Sequence, residues 1–173
     1  MSISTQLGGS GHIKIVALAS GSGTLVQSLL DNLDPNKVEL LAVGADRECA
    51  SLERAERAGV PKFTVPYVPR ETDREQWNND LADALESWDA DLIVSAGFMR
   101  IIGSTVVDRF AGRIINTHPA LLPAFPGAQA VEDALAYGVK VTGSTVHVVD
   151  SGVDTGPIVA QEAVNIEPGD KVE

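Results

Sequence analysis

The chain has 173 residues and a formal net charge of −11 at neutral pH. That length suffices for one domain with a real core. The acidic balance, with no basic block, argues against a nucleic-acid partner or an anionic membrane surface. A single cysteine, Cys49, leaves no disulfide framework and reads as a small packed thiol, while no Cys/His cluster has zinc spacing. No apolar run reaches transmembrane length.

Residues 1–12 are polar, Gly/Ser-rich and lack an apolar leader core, so they read as a flexible tail on a cytoplasmic chain. Ile13 to Ala19 reads as a buried strand, broken by Gly21-Ser22-Gly23-Thr24. Leu25, Val26, Leu29, Leu30 and Leu33 then recur at helical spacing. Val38 to Val43 predicts a second strand, Cys49 to Ala58 a helix stopped by Gly59, and Lys62 to Val65 a short strand. Trp77, Leu81, Ala84, Leu85 and Trp88 mark one helical face. Asp91 to Ala96 predicts a buried strand, Ile101 to Phe110 a helix and Ile114 to Asn116 a strand. Ala128 to Tyr137 predicts a helix ending at Gly138, and Thr142 to Val149 and Ile158 to Ile166 two late strands. The alternation predicts an α/β fold: an open, mainly parallel twisted sheet with helices on both faces, its last two strands paired antiparallel. Residues 13–173 are expected to form one domain. In such sheets ligands sit beyond the carboxyl ends of the strands.

Two places carry chemistry. Gly21 to Thr24 joins a strand to a helix, where backbone N–H groups and the helix dipole favour an anion such as phosphate. An ordinary tight turn is the plain alternative. A dinucleotide site is another, with Asp46 as the ribose-binding acid, although Val26 stands where a third glycine would be needed. The other place is Asn116-Thr117-His118-Pro119. Residues i and i+2 of a strand share a face, so an amide and an imidazole aim at one point, and Pro119 ends the strand. Downstream, Asp154 offers a carboxylate in a turn-rich, exposed setting. Donor, imidazole and carboxylate suit acyl transfer.

Four segments together resemble the folate-dependent glycinamide ribonucleotide formyltransferases: Ala96 to Ile101, Asn116 to Pro123, Gly143 to His147 and Asp154 to Pro157. The resemblance runs from Ile13 to the end. It implies transfer of a formyl group from 10-formyltetrahydrofolate to the amine of 5′-phosphoribosylglycinamide in purine biosynthesis, with no metal. It implies that Asn116 binds the developing oxyanion, that His118 acts as a charged or proton-donating partner, and that Asp154 orients His118. Gly23, Thr24 and Leu25 match the phosphate loop, with Leu25 standing where relatives often carry Asn. Arg74, Met99, Arg100, Ile101 and Ile102 match folate-binding positions, as do Asn116 and the loop Asp150, Ser151, Gly152, Val153 and Asp154. The resemblance and the proline run at Pro119, Pro123 and Pro126 point to a cis Leu122–Pro123 bond. Relatives continue into a helix that a chain ending at Glu173 would lack. A homodimer is compatible with the sequence.

Taken singly, these residues have plainer readings. His118 could be a structural strand-end histidine, Asp154 a turn carboxylate, Arg74 a solvated helix charge and Met99 core filler. His147, in a β-branched run, reads as a packing or hydrogen-bonded strand residue rather than a catalyst. Competing activities are hydrolysis of the same folate, formyl transfer to an aminoacyl-tRNA (disfavoured by the charge) and non-catalytic nucleotide binding.

Overall fold

Ile13–Ala19 form strand β1, and Val16 to Ala19 are wholly buried, as an unbroken apolar run covered on both faces should be. The computed structural model describes residues 11–172. The expected N-terminal tail lies, for residues 1–10, outside the described residues.

The chain divides into two compact units, one ending at Ile114 and the other starting at Ile115. In the first, β1 is followed by α1 (Thr24–Asn32), β2 (Val38–Ala45), α2 (Ala50–Arg57), β3 (Lys62–Thr64), α3 (Arg74–Glu86), β4 (Leu92–Ser95) and α4 (Ser104–Arg109). β1 pairs in parallel with β2 and with β4, and β2 with β3, giving the order β3-β2-β1-β4. The chain therefore winds outward from β1 through β2 to β3, then returns to β4 on the other side of β1. The carboxyl ends of β1 and β4 flank the point where the winding reverses, the place where open α/β sheets bind ligands. The core joins Ala17, Ala19, Val43 and Ala45 of the strands to Val26 of α1 and Leu52 and Ala55 of α2, and Cys49 packs partly buried against it. Trp77 is buried on α3 because its indole N–H donates to the Val65 carbonyl at 2.9 Å.

The second unit is antiparallel. β5 (Ile114–His118) pairs with β6 (Val141–Val148), which pairs with β7 (Ile158–Asn165), and α5 (Ala130–Tyr137) precedes β6. A mainly parallel α/β chain with antiparallel pairing at its last strands is thus what the sequence predicts. Gly138, at φ 83°, stops α5. The Leu122–Pro123 bond is cis, as expected.

Some boundaries shift. β2 runs two residues beyond Val43 because Ala45 still pairs with Thr64. α4 begins at Ser104 rather than Ile101, and its approach is held as a loop: Arg74 donates to the Ile101 carbonyl at 3.0 Å, and Gly103 N donates to Asn78 Oδ1 at 2.8 Å. α5 begins at Ala130 rather than Ala128. Among the described residues no helix is long and apolar enough to cross a membrane.

Candidate active site

The second unit brings Asn116, His118 and Asp154 together. Asn116 and His118 are alternate residues of β5, so both side chains lie on one face. The His118 ring is buried and held at both nitrogens. Nε2–H donates to the Phe125 carbonyl at 2.7 Å, and Nδ1 lies 3.4 Å from Asp154 Oδ2. With Nε2–H committed to a carbonyl, Nδ1 is the ring nitrogen turned to the carboxylate.

Both holders of His118 have left-handed backbones: φ is 49° at Phe125 and 56° at Asp154. Such conformations cost non-glycine residues roughly 1–2 kcal/mol, and they concentrate at functional sites. Asp154 is secured by its other contacts. Gly127 N–H donates to its Oδ2 at 2.8 Å. Its side chain is only 11% exposed, which corrects the expectation of an exposed turn carboxylate.

His147, expected to be a packing or hydrogen-bonded strand residue, is hydrogen-bonded and belongs to this cluster. Its Nδ1–H donates to the Val148 carbonyl at 3.1 Å, which leaves Nε2 as an acceptor. Nε2 lies 3.4 Å from Asn116 Nδ2 and 3.5 Å from Asp154 Oδ1. The antiparallel register pairs Asn116 directly with His147. That register was the missing signal: in the sequence the two lie thirty-one residues apart, and only the pairing of β5 with β6 makes them neighbours.

The loop after β6 is shaped by Asp150, whose Oδ1 accepts from Gly152 N at 2.9 Å and from the Thr155 hydroxyl at 2.7 Å. The Thr155 and Gly152 hydrogen bonds hold its carboxyl below the usual carboxylate range. The Asp150 side chain is thus turned to its own loop, and Ser151, Gly152 and Val153 are left exposed. At Gly156 a Cβ would run into the Val148 carbonyl, so only glycine closes this loop against the strand.

In the first unit, the loop after β1 and the loop after β4 lie side by side, since Ser20 N donates to the Gly97 carbonyl at 3.1 Å. Gly23 caps α1 with a left-handed backbone (φ 76°), and a Cβ there would stand 2.7 Å from Ser51 Cα. Helix α2 clamps this turn. Ser51 Oγ donates to the Gly21 carbonyl at 2.9 Å, and Arg54 Nε to the Ser22 carbonyl at 2.9 Å. Thr24 and Leu25 are exposed at the start of α1.

Arg74, Met99, Arg100 and Ile101 do converge. With Tyr67 and Trp77 they line a cavity of about 170 Å³. Met99 and Ile101 are exposed, which is not how core filler behaves, and Ile102 is half-buried. Two expectations change. The Arg100 guanidinium points inward, its Nε donating to Asp46 Oδ2 at 2.7 Å, so the residue can meet a ligand mainly through its backbone. Asp46 is buried and bound to Arg100 and Arg47, and is therefore not a free ribose-binding acid. Burial pushes its carboxyl up, but hydrogen bonds from Ser20, Arg100 and Arg47 outweigh this and hold it below the usual carboxylate range. Among the described residues no group of three or more His, Cys, Asp or Glu is placed to hold a metal ion.

Known proteins match this chain in sequence and fold. The formyl transferase family model covers residues 13–173, and the chain belongs to that family. Within it, the chain is similar to the phosphoribosylglycinamide formyltransferases. It is 53% identical over 161 residues to that of Mycobacterium tuberculosis, covering 92% of this chain and 74% of that one. It is 38% identical to the Bacillus subtilis enzyme of the same name, covering 92% and 83%. The solved structure of glycinamide ribonucleotide transformylase 1 from Symbiobacterium toebii superposes with a TM-score of 0.87 at 42% identity, covering 94% of this chain and 77% of that one.

Proposed function

We propose that the chain transfers the formyl group of 10-formyltetrahydrofolate to the amine of 5′-phosphoribosylglycinamide in purine biosynthesis. The observation that carries this is the cluster in which Asp154 lies against His118 and His147, and His147 against Asn116, in a chain 53% identical to a phosphoribosylglycinamide formyltransferase.

The amine attacks the formyl carbon and the carbonyl electrons move onto oxygen. Asn116 uses one amide proton on His147; its other donates to that oxygen. His118 acts at the same centre as a charged or proton-donating partner, and Asp154 holds the ring. A preorganised donor of this kind lowers a barrier by ~3–4 kcal/mol. As the tetrahedral intermediate collapses, the attacking nitrogen gives up a proton and the departing folate nitrogen gains one. His118 and Asp154 are the groups at hand to pass it, through water.

For the substrates, we assign phosphate to the backbone of Gly23, Thr24 and Leu25. We assign folate to Arg74, the Met99–Ile102 segment and the loop 150–154. The partners are small molecules, in keeping with the net charge of −11, and the reaction belongs to the cytoplasm.

The test is an assay of tetrahydrofolate release with and without phosphoribosylglycinamide. Transfer requires the amine. Release without it would mean hydrolysis, and no release in either case would mean a binding module.

A further inference from the structure

The loop 97–103 is pinned at nearly every residue by elements of its own unit. Ser20 N holds Gly97, Ser20 Oγ accepts from Met99 N at 2.9 Å, Asp46 holds Arg100, Arg74 holds Ile101 and Asn78 holds Gly103. Asp46 is the anchor that sets the direction of Arg100. Its side chain is wholly buried, and it accepts from Arg100 Nε at 2.7 Å. The carboxylate draws Arg100 inward, where its guanidinium stacks 4.7 Å above the Tyr67 ring, itself edge-on to Trp77 at 5.1 Å.

The consequence is alternation. Arg100 is turned in and its neighbours are turned out: Met99 is 66% exposed and Ile101 64%. Two large apolar side chains held in solvent lose nothing when a flat ring covers them, provided they are already in place. We propose that Asp46 is a positioning residue for folate: without touching the substrate, it holds the 99–101 backbone in the arrangement that presents Met99 and Ile101 to it. This rests on the formyl-transfer function proposed above.

The test is Asp46→Asn, which keeps the shape and loses the charge. Each substrate is varied in turn, and tetrahydrofolate and phosphoribosylglycinamide are titrated separately by calorimetry. We expect the KM for 10-formyltetrahydrofolate and the Kd for tetrahydrofolate both to rise about tenfold. The KM for phosphoribosylglycinamide and the turnover at saturating folate should stay within about twofold. Unchanged folate affinity, or equal loss for both substrates, overturns the proposal. Should Asp46→Asn not fold, Ser20→Ala must show the same split, with a smaller rise, or the proposal fails. Wild-type protein that binds tetrahydrofolate but transfers no formyl group would remove the proposed activity and leave the titrations to decide on Asp46. Wild-type protein that binds no tetrahydrofolate would overturn both.

Discussion

Asn116 Nδ2 lies 3.4 Å from His147 Nε2, and the two residues face each other in the register of β5 and β6. A side-chain amide has two ends, and only its NH₂ end can donate to an oxyanion. An acceptor on His147 selects that end. His147→Ala should therefore lower turnover about tenfold, or ~1.4 kcal/mol, with substrate KM values little changed. If His147 acts through Asn116, the loss should shrink to nearly nothing in an Asn116→Ala background. A double-mutant cycle on kcat measures this, and full additivity would refute it.

His118→Ala and Asp154→Asn should each cut turnover by about 10²–10⁴. Both are expected to keep the fold by circular dichroism. The asparagine variant retains an oxygen for the Gly127 N–H, so it removes charge without removing the hydrogen bond that anchors the loop. Single-turnover kinetics would read the chemical step. A near-normal rate in either variant would exclude that residue from the reaction.

Gly23→Val should weaken phosphoribosylglycinamide binding about tenfold while folate binding is spared. The left-handed backbone and the Ser51 main chain 2.7 Å from any Cβ force the turn to move. The turn's N–H groups would no longer converge. Separate calorimetric titrations decide it. Loss confined to folate would mean that the two substrates have been assigned to the wrong loops.

Much of this was legible in the sequence, for reasons that differ by residue. β1 is bounded as Ile13–Ala19 by both sequence and structure, because an apolar run ending in Ser-Gly leaves little choice. Asn116 and His118 were placed by strand periodicity and by Pro119. What stayed hidden depended on partners remote in sequence. His147 needed the β5–β6 register. The inward turn of Arg100 needed a carboxylate fifty-four residues away. Asp154 looked exposed because its neighbours Ser151, Gly152 and Val153 are, yet its own side chain is drawn in by Gly127 and His118. The start of α4 was masked by Ile101 and Ile102, which suit a helix but are held in a loop by Arg74 and Asn78.

Asp46 should also set part of the acid limb of stability. Its carboxyl is held below the usual range in the folded chain, against about 3.9 when unfolded. A depressed folded pKa favours the folded state once the group is ionised. Its contribution is thus complete above the unfolded value and fades as pH falls through that value toward the folded one. In Asp46→Asn this contribution is absent at every pH. The variant should therefore melt below wild type at pH 7, and the gap should close as pH falls below about 4. Thermal midpoints of the two proteins across that range test it. Asp150, also depressed but exposed, should contribute little, since its partners compete with water. A gap that stays constant with pH would mean that Asp46→Asn destabilises through packing alone and that the charge on Asp46 is not what holds Arg100.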